Sequence, residues 1–274
     1  MLNGMPQSRE RLGIIGFGPI GMRLAERFSG SADGPHLAAL LVRQRDIEMA
    51  TKIAPDAIIC TDIQPFLEAR LDVAVECASA ETLKHDGPQL LAAGCDIIPL
   101  SLGAFADVQT EALLFAAASR GAGRIEIPAG ALGSIGFLAA ARENGLTGVT
   151  VTVGYPTERW RAMKAGHLVD LNDLQSTFTF LEASAREVAR LFPGHLNVVT
   201  GAALAGLGLD RTTVALVADP TATQAWFHIE ALSDSGPVSL HVGGRNAPVD
   251  HDPIDYTTFS VIRLLRRRSA PLAI

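Results

Sequence analysis

Three glycines spaced as Gly16-Phe17-Gly18-Pro19-Ile20-Gly21 stand between an apolar run, Leu12-Gly13-Ile14-Ile15, and a helical pattern. This spacing serves to grip a pyrophosphate. Gly16 suits a tight turn, Gly18 has no side chain to block the phosphates, and Gly21 lets the helix pack close to the strand while its first amides face the anion. Pro19 and Ile20 complete the loop that a dinucleotide would touch. The second strand ends Leu40-Leu41-Val42-Arg43-Gln44-Arg45, with no acid to hold a ribose 2′-hydroxyl; Asp46 comes three residues too late. Arg43 and Arg45 suit a 2′-phosphate instead, which leans the expectation from NAD towards NADP. Two surface arginines in a loop are the other reading. Cys77-Ala78-Ser79 and Ser101-Leu102-Gly103-Ala104 are small enough for a nicotinamide ribose to lie against backbone, and a close-packed turn would use the same residues.

A second glycine-rich turn, Pro128-Ala129-Gly130-Ala131-Leu132-Gly133-Ser134-Ile135-Gly136, could offer its amides to a nicotinamide or a substrate carboxylate. A hinge would need the same small residues. A dinucleotide lobe joined to a second lobe implies hydride transfer, for which the protein supplies only a proton-transfer group and a substrate clamp. By residue type the proton candidates are His228, His195, His167 and Lys164, and the clamps are Arg159, Arg161 or the amides of residues 130–133. His36, His85, His241 and His251 have no supporting context. No group of His, Cys and carboxylates has metal-ligand spacing, so no metal is expected.

The elements that must position these groups follow from length and pattern. A chain of 274 residues suits two lobes that each bury a core. With 48% hydrophobic residues, 5% aromatic and a net charge of −6, it offers no polyanion-binding surface, so no nucleic acid partner is expected. Uncharged runs such as 198–209 fall short of the ~18–20 residues needed to span a bilayer. Residues 1–11 leave no room for a signal peptide, and Cys60, Cys77 and Cys95 read as reduced core thiols. The expectation is a cytoplasmic protein without a membrane partner.

Apolar runs at 12–16, 36–42, 57–60, 73–77, 96–100 and 124–128 alternate with helical stretches, including 81–93 and 108–119, closed by Gly94 and Gly121. They predict an α/β fold, an N-terminal Rossmann doubly wound parallel sheet, with the ligand at the strand carboxyl ends. After residue 128, strands at 149–155, 176–181, 213–217, 225–231 and 238–242 alternate apolar and polar side chains, with helices at 135–143, 184–191 and 198–206. This predicts a second α+β substrate domain over 129–249, after a dinucleotide domain over 1–128 onto which 250–274 packs back. The arginines Arg263, Arg266, Arg267 and Arg268 read as a solvated helix end matched to the dipole rather than an anion site. Residues 156–172 read as a mobile loop or a surface connector.

The chain resembles the L-aspartate dehydrogenase family from about residue 12 to 232. The resemblance rests on the order and spacing of short blocks. These are Gly16 to Gly21, Val75-Glu76-Cys77-Ala78, Leu91-Ala92-Ala93-Gly94-Cys95-Asp96, the turn from Pro128 to Gly133, Ser184-Ala185-Arg186-Glu187 with Leu191-Phe192-Pro193, Asn197, Gly208-Leu209-Asp210-Arg211-Thr212, and Ala218-Asp219-Pro220. It implies NAD or NADP as oxidant of L-aspartate to iminoaspartate, hydrolysed to oxaloacetate and ammonia, a homodimer, and a role in NAD biosynthesis. By position it makes Ala131 and Asn197 cofactor contacts. The family's pattern N-x-H-E-I-E-A carries a catalytic histidine, whereas here Ala225-Trp226-Phe227-His228-Ile229-Glu230-Ala231 places Phe227 at the histidine and His228 at the glutamate. One position along a strand reverses the face. His228 is a catalytic imidazole only if a bulge re-aims it; in a regular strand it faces away with Glu230, and no Gly or Pro interrupts this one. Gly136 and Ala129 stand where the family tends to have aspartate and serine, and 250–258 lacks its Lys-Thr-Ser. Another imine or carbonyl substrate, or a non-catalytic dinucleotide sensor, stays open beside the amino-acid or oxo-acid substrate.

Overall fold

The computed structural model describes residues 9–130, 132–143, 145–243 and 256–272. The chain divides into two compact units: Met1–Ala104 with Gln109–Pro128 and Ile254–Ile274, and Phe105–Val108 with Ala129–Pro253. In the first unit strands and helices alternate as β1 (Arg11–Ile15), α1 (Pro19–Phe28), β2 (His36–Leu41), α2 (Ile47–Ile53), β3 (Ile58–Cys60), α3 (Ile63–Glu68), β4 (Val73–Glu76), α4 (Ala80–Ala92), β5 (Asp96–Pro99) and α5 (Val108–Arg120). The strands form one parallel sheet in the order β3-β2-β1-β4-β5. Leu12, Ile14, Leu40, Val73, Val75 and Ile98 are fully buried, as strands covered by helices on both faces require. The chain runs outward from β1 through β2 to β3 and then crosses to β4, so the order reverses between β1 and β4. Ligands of such sheets bind beyond the carboxyl ends at that reversal.

Residues 124–128 do not form the sixth strand that their apolar pattern predicts. Ile125 alone bridges Ile97, through Ile97 N–H to the Arg124 carbonyl at 2.8 Å and Glu126 N–H to the Ile97 carbonyl at 2.9 Å. Pro128, without an N–H, ends any further pairing.

The second unit contains α6 (Ile135–Arg142), β6 (Gly148–Tyr155), α7 (Thr157–Ala162), β7 (Phe178–Ser184), α8 (Ala185–Leu191), α9 (Asn197–Ala205), β8 (Thr213–Ala218), β9 (Trp226–Ser233) and β10 (Gly236–Gly243). Its sheet has the order β10-β9-β6-β8-β7, with β6 and β8 parallel and the other pairs antiparallel. Val149, Val151 and Val153 of β6, Val214 and Leu216 of β8, and Phe227, Ile229 and Ala231 of β9 are buried, and α6, α8 and α9 pack against the sheet. Residues 156–172 are not wholly irregular: they contain α7 and a 3₁₀ turn, Ala165–His167. Trp160 of α7 is fully buried, its indole N–H donates to the Val217 carbonyl at 2.8 Å, and its ring packs against Tyr155, Phe180 and Phe192. A large ring whose one polar atom is satisfied anchors the segment from inside.

The chain then returns to the first unit with α10 (Tyr256–Arg267), whose Val261, Leu264 and Leu265 join Leu24, Ala25 and Phe28 in one core. Arg263 and Arg267 are exposed, but Arg268 is not the solvated arginine its sequence context predicts. Its guanidinium contacts Glu10 at 2.8 and 2.9 Å, Asp96 at 2.8 Å, and Glu126. Asp96 also accepts from the Arg124 amide at 2.7 Å. Burial alone would push the Asp96 carboxyl up; the hydrogen bonds from Arg268 and Arg124 together outweigh it and hold the group below the ordinary aspartate value.

Candidate active site

The carboxyl ends of β1, β2 and β4 open onto a cleft of about 510 Å³, bordered by Gly16, Gly18, Arg43, Asp46, Ala78 and Ser79. Gly16 has φ +99°, and a Cβ there would lie 2.9 Å from the Ala78 backbone. A Cβ on Gly21 would collide with the Gly16 carbonyl oxygen, so α1 packs directly on the turn. Gly18 differs from both. Its φ is −75°, and nothing lies within 4 Å of where its Cβ would be. It is the N-cap of α1, whose first turn has no acid and no side-chain cap, so the first amides lack a side-chain acceptor. Space beside Gly18 and uncapped amides at one helix end fit a pyrophosphate. Pro19 is exposed and Ile20 packs partly against the core; neither borders the cleft.

Arg43 and Arg45 border the cleft, and so does Asp46, which sequence spacing had set aside. Residues Gln44–Asp46 form a 3₁₀ turn. Its three-residue period brings position i+3 back over position i, so Asp46 returns to the side of Arg43. The Arg45 guanidinium lies 3.8 Å from the Asp46 carboxylate. Asp62, Thr82, His85 and Asp86 complete this rim. They begin or lie within α3 and α4, so no local motif marked them; His85 Nδ1 is 2.6 Å from Asp86 Oδ1.

Ser79 caps α4, its Oγ accepting from the Thr82 amide at 3.1 Å. Beneath it lies Glu76, the last residue of β4 and 2% exposed. Glu76 Oε1 accepts from the amides of Ala78 and Ser79 at 2.8 and 2.9 Å and from Ser101 Oγ at 3.0 Å; Oε2 accepts from the Ser101 amide at 3.2 Å. Burial pushes this carboxyl above the ordinary glutamate value, and the hydrogen bonds pull it part of the way back. The Cys77 thiol contacts the Ile15 carbonyl at 3.2 Å, and burial raises it far from thiolate formation. Sequence reasoning gave Glu76 no role: it closes an apolar strand and stands within a block, Val75-Glu76-Cys77-Ala78, that carries the family resemblance.

In the second unit β9 is regular. Its pairing with β6 and β10 runs without a register shift, Phe227 opposite Val153 and Val242, and His228 opposite Thr152 and His241. The bulge that would re-aim His228 is absent. Phe227 is buried with its ring edge-on to Tyr155 at 6.2 Å, while His228 lies on the other face, its Nε2 2.7 Å from Ser239 Oγ. Arg159 lies over the Tyr155 ring at 4.1 Å, Arg161 donates to the Leu171 carbonyl at 2.6 Å, and His167 Nδ1 is 2.8 Å from the Lys164 carbonyl, so each is engaged within its own segment. His195 is exposed, and Asn197 opens α9 half-buried. Ala131 and His251 lie outside the described residues. Arg186, unassigned by sequence, is buried in a two-pronged pair with Asp210 at 2.6 and 2.8 Å and donates to the Phe105 carbonyl at 2.9 Å. Among the described residues no helix is long and apolar enough to cross a membrane.

Residues 16–128 match the family profile described as homoserine dehydrogenase, NAD binding domain, and 137–268 match aspartate dehydrogenase, C-terminal. The chain is 34% identical over 265 residues to the L-aspartate dehydrogenase of Ralstonia pickettii, covering 95% of this chain and 98% of that one. With the L-aspartate dehydrogenase of Cupriavidus necator it shares 36% over 227 residues, 83% and 84% of the two chains. A crystal structure of aspartate dehydrogenase from Thermotoga maritima shares the fold at a TM-score of 0.75 and 23% identity, covering 97% of this chain and 99% of that one. The glycine turn at the sheet's reversal point and the sequence likeness along almost the whole chain lead to one assignment: the protein belongs to the L-aspartate dehydrogenase family.

Proposed function

We propose that this protein oxidises L-aspartate to iminoaspartate, which water converts to oxaloacetate and ammonia. The observation that carries the dinucleotide half of this reading is Gly18, open to the cleft at an uncapped helix end. The bound nicotinamide would accept the hydride from Cα. Gly16, Gly18 and Gly21 shape the turn for the pyrophosphate, Ala78 and Ser79 back the ribose beyond it, and Ala131 and Asn197 are carried over as further contacts from the family resemblance. With Phe227 packed against Tyr155 where the resemblance expects an imidazole, the amino proton passes to water. Absorbance of the reduced nicotinamide on adding L-aspartate, other amino acids, or oxo acids with ammonia tests the reading. Cofactor binding without turnover of any of them would overturn it in favour of a sensor role.

Arg43 and Arg45 at the cleft rim support a preference for NADP, although Asp46 beside them could serve a free ribose hydroxyl. NADPH should bind more tightly than NADH, and the gap should narrow as salt rises. Equal affinities untouched by Arg43→Ala would return both arginines to the surface. A homodimer in the cytoplasm completes the reading, supported by three free thiols and by the resemblance. Sedimentation at twice the mass of one chain checks the first part.

A further inference from the structure

Glu76 is a buried acid with an unusual set of partners. Both oxygens already receive a backbone N–H, from Ala78 and Ser79 on one and Ser101 on the other, and Ser101 Oγ adds to the first. Burial favours the protonated form, and these hydrogen bonds, each favouring the ionised form, oppose it. Among the described residues no cationic side chain pairs with it. Buried charges ordinarily find a counter-charge; the Glu76 carboxylate has only neutral dipoles to balance it.

Its place gives the charge a use. Glu76 closes β4, and its side chain reaches across to Ser101, two residues after β5, on the far side of the reversal point from Arg43. A dinucleotide sheet divides its ligand at that point, one half to β1–β3 and the other to β4 and β5. With the 2′-phosphate or ribose end at Arg43, the β4 side receives the nicotinamide half. That ring is a cation when oxidised and neutral when reduced. We propose that the Glu76 carboxylate favours binding of the oxidised cofactor over the reduced one, so that the protein loads with the oxidised form and releases the reduced form more readily, while the bound nicotinamide becomes a weaker hydride acceptor. The inference rests on the dehydrogenase reading and deepens it: Glu76 positions the Ala78–Ser79 turn and places its acid group beneath that turn, on the β4 side of the reversal point.

The experiment is an equilibrium titration of unmodified protein, Glu76→Gln and Ser101→Ala, each with oxidised and reduced cofactor, followed by fluorescence and without substrate. The amide of Glu76→Gln keeps the size and an oxygen for the Ala78 and Ser79 amides while removing the charge; its NH2 group meets the Ser101 N–H donor to donor, a disturbance common to both cofactor forms that the ratio of the two Kd values cancels. It should weaken the oxidised form about fivefold more than the reduced form, the order of magnitude of Coulomb attraction between unit charges about a nanometre apart in a partly solvated site. Ser101→Ala removes one hydrogen bond and keeps the charge, so the ratio of the two Kd values should stay as in the unmodified protein. Parallel losses in Glu76→Gln, or an equal ratio shift in Ser101→Ala, overturn the inference and leave Glu76 a packing residue. Should Glu76→Gln fail to fold, the unmodified protein decides: a preference for the reduced form beyond about tenfold overturns it. Binding of neither form sinks the dehydrogenase reading itself, a separate outcome.

Discussion

At the scale of single residues, the glycines of the turn separate folding from binding. Gly18→Leu places a side chain into open space beside the cleft, so stability should change by no more than about 1 kcal/mol, while dinucleotide affinity falls beyond about a hundredfold. Gly21→Val drives a side chain into the Gly16 carbonyl and should cost about 3 kcal/mol or more. Calorimetric titration beside urea unfolding checks both; a Gly18→Leu protein that still binds would remove the pyrophosphate from this turn. His228→Asn should leave turnover unchanged, because its imidazole bonds Ser239 on the face opposite Phe227. A fall in kcat of ~10²–10⁴-fold, the range of a general acid–base group, would restore His228 as the proton carrier.

At the scale of elements, α10 is held to the first sheet by a core contact and by Arg268. Removing one member of a partly buried ion-pair network leaves charges without partners, so Arg268→Ala should cost about 2–3 kcal/mol. The pH dependence carries its own sign. Asp96 titrates below its ordinary value when folded, so its contribution is present above the unfolded value near ~4 and is lost as pH falls through the folded one. Unmodified protein should therefore lose stability on acidification below about pH 4, and Arg268→Ala should show less of that loss. Urea midpoints from about pH 3 to pH 7 measure it, and parallel curves for the two proteins would reject the Asp96 contribution. This network was illegible beforehand: Glu10, Asp96, Glu126 and Arg268 come from distant parts of the chain, and a charged helix end looks solvated until its neighbours are known.

At the scale of the whole molecule, a ligand that binds only the folded chain raises stability by about 2.7 kcal/mol at a hundred times its Kd. Saturating NAD(P) should accordingly raise Tm by several degrees, and Gly18→Leu should abolish the rise. A Tm rise that persists in Gly18→Leu would place the dinucleotide elsewhere.

The sequence by itself determined the two-part architecture, the parallel sheet and the glycine turn, because each is written in local periodicity and in residues with restricted backbone choices; that β9 pairs without a bulge was read from the structure. Only tertiary structure decided which charges meet. A 3₁₀ turn carried Asp46 to the rim, the crossing from β4 to β5 brought Ser101 over Glu76, and the return of α10 set Arg268 among its carboxylates. The physical reason is the same in each case. Hydrophobic pattern reports which side of an element faces inward, whereas a polar group's partner depends on how separate elements are brought together in three dimensions.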